Sequence, residues 1–490
     1  MSTRAVEIET NEVQGIILRG YERLPEAVYV LIGIEDPISA RRWLRALAPH
    51  VTRGSVRSEQ LPSHTLQIAF TYAGLERLGL PDDALATFSR EFQEGMAAPH
   101  RQRLLGDAGP GVAERWDWGG PKREMVHVLL MIYAATDAVL GWELARQREQ
   151  WVEHSLHAIR VLGTETVRER KEHFGFHDGI AQPMIAGLLR SENEPEGNVT
   201  AAGEFIFGYP NEYGQIPNAP TIAAWQDRTR RLPRTSLPSR HDFGRNGSYL
   251  VFRQLSQDVR GFWKSMADRT RHADGTPNPD RYVWLASKIV GRWPNGAPLA
   301  LYPDRQPENY SGDDADRFLY HDQDPHGEHC PIGAHIRRSN PRDALAPHPE
   351  ESLTVARRHR ILRRGRLYGR PVAPSMRPED ILEADDDNFD RGLHFICFNT
   401  DIARQFEFVQ HTWINNPKFE GLYSEPDPLV AQRADPQLSE TRSESAATFT
   451  IQAHPVRHRE RNLEPFVRMK GGEYFFLPGL RALQYLGSLP

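Results

Sequence analysis

The longest unbroken apolar run in this chain, Val128–Ala135, is only eight residues long. A helix that crosses a membrane needs about 20 such residues. The run therefore reads as a buried strand, and the fold has to be assembled from short elements. Ala27–Ile34 is aliphatic and β-branched, as a strand requires. Asp36 and Pro37 supply a cap and a first-turn residue for a helix whose apolar residues are Trp43, Leu44 and Leu47. Thr65–Thr71 alternates as a strand, Asp82–Gly95 is helical, Val126–Ala135 is a strand and Asp137–Glu153 a helix. After a Pro-, Arg-, Asn- and Gly-rich connection over 210–245, strand signals return at Ser248–Leu255, Leu393–Asn399, Thr448–Gln452 and Glu473–Phe476. Between them lie helical stretches at Val259–Met266, Arg281–Val290 and Ile402–Trp413. Strands interleaved with helices, with few parallel crossover signatures, predict an α+β fold. A chain of 490 residues exceeds one ordinary core, so two domains are expected.

Composition narrows the class of function. A hydrophobic content of 39% and a charged content of 26% are those of a soluble globular protein. The net charge of -5 argues against nucleic acid as the main partner. The first ten residues hold no apolar core and no paired arginines, so no export signal is visible and a cytoplasmic location is expected. The two cysteines, Cys330 and Cys397, sit in apolar surroundings; one disulfide could join them, but a reducing compartment needs none.

Two short segments carry chemistry. Gly175-Phe176-His177-Asp178-Gly179 places a carboxylate between glycines, and Cys330–Arg338 places His335 in a rigid, largely apolar stretch. Arg363 follows 28 residues after His335, beside Arg364. Each has an ordinary reading: Asp in a tight turn, a buried structural histidine, a solvated basic run. Together they suit haem and peroxide. A neutral imidazole is a strong axial donor to haem iron. A carboxylate can move a proton between the peroxide oxygens, and a guanidinium that stays protonated steadies the departing oxygen. Glycines let the backbone turn tightly against a flat macrocycle.

The residues around these segments resemble the dye-decolourising peroxidase family. Gly175–Gly179 resembles its GxxDG motif, within the longer match Phe174–Pro183. Cys330–Arg342 resembles its proximal-histidine segment and Ile361–Gly365 its distal-arginine segment. Further similar blocks lie at Gly203–Gly214, Asn246–Gln254, Val290–Leu299, Phe398–Trp413 and Gly471–Gly479, so the likeness runs along nearly the whole chain. The resemblance implies two ferredoxin-like domains with antiparallel sheets packed together. These would be residues 1–225, carrying the GxxDG motif, and 226–490, holding most of one haem b per chain. It implies His335 as axial iron ligand, Asp178 as distal acid–base and Arg363 as charge stabiliser, with Gly175 and Gly179 lining the cofactor. Hydrogen peroxide and an aromatic or dye-like reductant would be the partners, with no membrane and no nucleic acid; a homo-oligomer is compatible.

Several alternatives stay open on sequence alone. His177 rivals His335 as ligand, although the motif has a variable residue there. Strand alternation sends Arg363 and Arg364 to opposite sides, and only one can meet the haem. Asp401 is either an N-cap or the carboxylate that accepts the proximal histidine's second N–H. Arg342 either pairs with a haem propionate or lies on the surface. The cluster His321, Asp322, Asp324, His326, His329, Cys330 and His335 invites a non-haem metal, but matches no compact zinc spacing. A haem-handling protein with incidental peroxidase activity is the alternative function, since fold does not fix function.

Overall fold

The computed structural model describes residues 7–56, 60–166, 170–188, 198–345, 347–385, 387–431 and 448–490. Nine strands form its frame. In the first half these are β1 (Glu26–Ile34), β2 (His64–Phe70), β3 (Val128–Ala134) and β4 (Leu156–Gly163). In the second they are β5 (Ser248–Gln257), β6 (Leu362–Arg363), β7 (Arg366–Tyr368), β8 (Gly392–Asn399) and β9 (Val467–Leu477). Every pairing between these strands is antiparallel.

The two halves share one topology. The first runs β2-β3-β1-β4 across the sheet and the second β6-β8-β5-β9, with β7 extending the same edge as β6. Helices α1 (Pro37–Leu47) and α2 (Asp137–Glu153) make the crossovers of the first half. Asp36 caps α1 by accepting from the N–H groups of Ile38 and Ser39. The second half uses α3 (Val259–Arg269) and α4 (Pro279–Val290). Its other crossover, expected as an ordinary helix over 402–413, winds as wider π-helical turns over Ala403–Glu407 and Val409–Ile414. Both halves are thus ferredoxin-like.

The strands look uniformly apolar because both of their faces are buried. In β1, Val28, Val30 and Ile32 pack outward toward the helices, while Tyr29 and Leu31 face the other half. In β5, Tyr249 and Val251 pack outward, while Leu250 and Phe252 face inward. The period-2 alternation is hidden because each side meets apolar partners. Across the shared interior Tyr29 meets Phe252 edge-on at 5.8 Å. The two sheets are joined at their rims as well. Phe476 of β9 pairs with Phe70 of β2 at one rim. At the other, Glu165, just beyond β4, bridges Leu367 of β7, its N–H donating to the Leu367 carbonyl at 2.8 Å. The result is a barrel with helices outside. Strand β4 was not expected from sequence: beyond Leu156 its residues are exposed or only half-buried, so its apolar signal is weak. No described helix is long and apolar enough to cross a membrane.

Candidate active site

The site lies beside the second half, where three segments distant in sequence converge. The Asp178 turn follows β4 but packs on α3. Phe174 lies 4.6 Å from Phe262, Phe176 stacks parallel to Trp263, and the Trp263 indole donates to the Phe174 carbonyl at 3.0 Å. Gly175 has φ +92, and a Cβ there would fall 2.6 Å from the Met376 carbonyl oxygen, so only glycine fits. Gly179 has φ +77, and a Cβ on it would meet nothing within 4 Å. The turn therefore borders open space.

His335 opens the short helix α5 (His335–Ser339), after Pro331 and Gly333. Its Nδ1 lies 2.9 Å from Asp427 Oδ2. Asp427 is fully buried, and its other carboxylate oxygen accepts from the N–H groups of Leu429 and Val430 at 2.9 Å each. Burial opposes protonation of His335, but the Asp427 carboxylate outweighs it and raises the imidazole above its ordinary value. Burial likewise opposes the Asp427 charge, and His335 with its hydrogen bond carries the carboxyl below the usual range. Asp427 was not picked out from sequence: an acidic residue between prolines in an irregular stretch carries no local signal.

Arg338, three residues beyond His335 and wholly buried, secures the same region. Its guanidinium donates to the carbonyls of Gly333, Trp413, Asn416 and Glu425. One cation thus ties the histidine segment to the π-helical stretch and to the loop that carries Asp427.

Arg363 Nη1 donates to Asp178 Oδ1 at 3.1 Å, and its own N–H donates to the Gln182 side chain. Burial pushes the Asp178 carboxyl up, but Arg363, the turn's backbone and the charge of His335 bring it below the ordinary carboxylate value. Arg364 leaves in the other direction, donating to the carbonyls of Ile16 and Ile17 in the first half. The alternation expected of this strand is present.

Asp401 and Arg342 have partners of their own. Asp401 caps the stretch after β8, accepting from the Arg404 N–H at 2.9 Å and pairing with the Arg404 guanidinium. Its place beside the histidine belongs to Asp427. Arg342 pairs with Asp316, donates to the carbonyls of Asp316 and Phe318, and stacks 4.0 Å over the Phe318 ring. The side chain of His177 stands beside the loop at Gly296, and its N–H donates to the Pro294 carbonyl. Cys330 and Cys397 are both free and buried. Of the acidic and histidine cluster near 321–335, Asp324 is consumed by Arg337 and by the N–H groups of His329 and Cys330.

This donor set suits a haem. With Nδ1 of His335 engaged by a carboxylate, Nε2 is the nitrogen left to bind iron. The side chains of His335, Asp178 and Arg363 keep exposures of 28%, 40% and 30%, though their segments pack against a buried interior. The charges of Arg363 and His335 act on Asp178, and those of Arg363 and Asp178 on His335, so the three stand near one another.

Comparison with known proteins agrees with this fold. Residues 12–166 match the DyP dimeric alpha+beta barrel domain family. Over 508 residues the chain is 28% identical to a multifunctional dye peroxidase of an Amycolatopsis species, covering 97% of this chain and 95% of that one. The crystal structure of a fungal DyP-type peroxidase from Auricularia auricula-judae superposes with a TM-score of 0.75 at 26% identity, over 99% of this chain and 100% of that one. A deferrochelatase of Yersinia pseudotuberculosis is 30% identical over a shorter stretch of 289 residues, 58% of this chain and 45% of its own. Residues 12–166 thus carry the family's barrel domain, the chain is similar along nearly its whole length to dye-decolourising peroxidases, and it is a peroxidase enzyme.

Proposed function

We propose that the chain is a haem b peroxidase, one haem per chain, that uses hydrogen peroxide to oxidise aromatic or dye-like reductants one electron at a time. The observation that carries this reading is the 3.1 Å Asp178–Arg363 pair standing close enough to the 2.9 Å His335–Asp427 pair for the charges of Asp178 and Arg363 to act on His335. His335 Nε2 would hold the iron, and Gly175 and Gly179 would let the turn approach the macrocycle. Bound haem would supply the iron at which the peroxide O–O bond is cleaved. Asp178, already ionised, takes the proton from the inner peroxide oxygen and delivers it to the outer one, which leaves as water. Arg363 stabilises the charge that gathers on the leaving oxygen and holds Asp178 in reach. Asp427 accepts the His335 Nδ1–H, fixing the ring and making it a more electron-rich donor. Within this reading residues 1–225 and 226–490 form the two units, and the second holds most of the haem.

The test is a visible spectrum of haem-reconstituted protein before and after one equivalent of peroxide, alongside His335→Ala and Asp178→Ala. A Soret band lost with the first and a fast peroxide response lost with the second support both roles. The deferrochelatase likeness favours a second reading, a haem-handling protein. Asp178→Ala and Arg363→Ala variants that bind haem and keep full peroxide reactivity would select it.

A further inference from the structure

Glu172 lies six residues before Asp178, and its two carboxylate oxygens each accept from a backbone N–H of the Asp178 turn. Its Oε1 accepts from the Phe176 N–H at 3.0 Å; its Oε2 accepts from the Phe174 N–H at 3.0 Å and from the Gln257 amide at 2.8 Å. Its backbone closes the same loop. The Glu172 N–H donates to the Phe176 carbonyl, the Gly175 N–H donates to the Glu172 carbonyl, and the Asp178 N–H donates to the Arg170 carbonyl. Gln257 is the last residue of β5, so the carboxylate also ties the turn to the second half's sheet.

We propose that Glu172 is the positioning residue of the Asp178 turn, holding the catalytic carboxylate in register with Arg363 and tethering it to β5 through Gln257. The inference rests on the role given to Asp178 above. The chemistry requires a carboxylate. Donors approach both oxygens, and a glutamine there would present its NH2 to one of them. Burial pushes the Glu172 carboxyl up to about 7, an environment a carboxylate occupies at a cost unless its hydrogen bonds are needed. The charge facing it is Asp178 on the same turn. From β5 it meets the neutral Gln257, and α3 presents only Phe262 and Trp263 to the flanking phenylalanines. A displacement of about 1 Å in a proton-transfer group costs on the order of a hundredfold in rate, so the stiffness of this turn bears directly on activity.

The test uses the full-length, haem-loaded protein with Glu172→Gln and Gln257→Leu. Hydrogen exchange across residues 171–178 should quicken about tenfold in Glu172→Gln and less in Gln257→Leu, with β5 unchanged. The reaction with peroxide should slow by about ten- to a hundredfold in Glu172→Gln at full haem content. Wild-type exchange across the turn in Glu172→Gln would overturn the inference. If that variant does not fold, wild-type exchange in Gln257→Leu overturns it equally. A loosened turn with an undiminished peroxide rate would instead overturn the role given to Asp178, and the catalytic part of the inference with it.

Discussion

Around His335 every group that could move is tied to buried backbone. Asp427 is fully enclosed, its second oxygen holds two N–H groups, and Arg338 spans four carbonyls beneath it. Around Asp178 the backbone of the turn is held by Glu172, but the carboxylate itself is held more sparsely: one ion pair to Arg363, a side-chain exposure of 40%, and a turn bordering open space at Gly179. The difference matches what the proposed roles ask of each side. An axial donor has to keep one orientation through every turnover, which favours a closed network of satisfied polar groups. A group that meets peroxide has to stand open to it, so its side chain keeps few contacts of its own and its position rests on the backbone beneath.

The contrast breaks most sharply at His335. His335→Ala should abolish the Soret band on reconstitution; a normal band would dissolve the distinction between the two sides. Asp178→Asn keeps the shape of the turn and removes the base. Haem should bind as in the wild type while the peroxide reaction, followed by rapid mixing, slows between about a hundredfold and ten-thousandfold. Asp427→Asn and Asp401→Asn then separate the two candidate carboxylates. The first should lower haem affinity or activity by about 10–100-fold. Asn caps a helix about as well as Asp, so the second should cost less than about 1 kcal/mol of stability, read from the thermal midpoint, and leave the haem spectrum unmoved. The smallest effect concerns pH. Because the Asp178 carboxyl lies below its ordinary value, it stays charged as pH falls from 7, and its contribution fades only as pH drops through that lowered value. The peroxide rate constant should therefore keep its Asp178-dependent part down to about pH 4, the ordinary range of the group. Loss of that part near pH 6 would mean that Arg363 does not hold it.

The open side was more legible in the sequence than the closed one, and for a physical reason. Asp178 needs glycines on both sides of it, and Arg363 needs a strand, so each leaves a mark on its immediate neighbours. Asp427 is recruited across 92 residues, and Arg338 acts through carbonyls that any residue supplies. Neither requirement alters the local pattern. Asp401 looked suitable because it precedes a long apolar-faced stretch, which is also what makes it a cap. Apart from β4 and the three-residue β7, the barrel strands were legible as strands, but their inward and outward faces were not, because both meet apolar partners. The edge strand β4, partly exposed, lost even that signal.

Strand β9 also bears on the order in which the molecule is made. It pairs with β5 along Val467–Leu477 and meets β2 at Phe476, so it lies between the two halves although it is the last of the nine strands to be synthesised. The first half has all four of its strands once residue 163 has emerged, and can form its sheet during translation. The second half waits for a partner some 210 residues downstream of β5, a contact that is slow to form because a long loop has to close first. Asp178, His335 and Arg363 are all translated before that partner exists. The site residues thus all precede, along the chain, the strand that completes the second half's sheet.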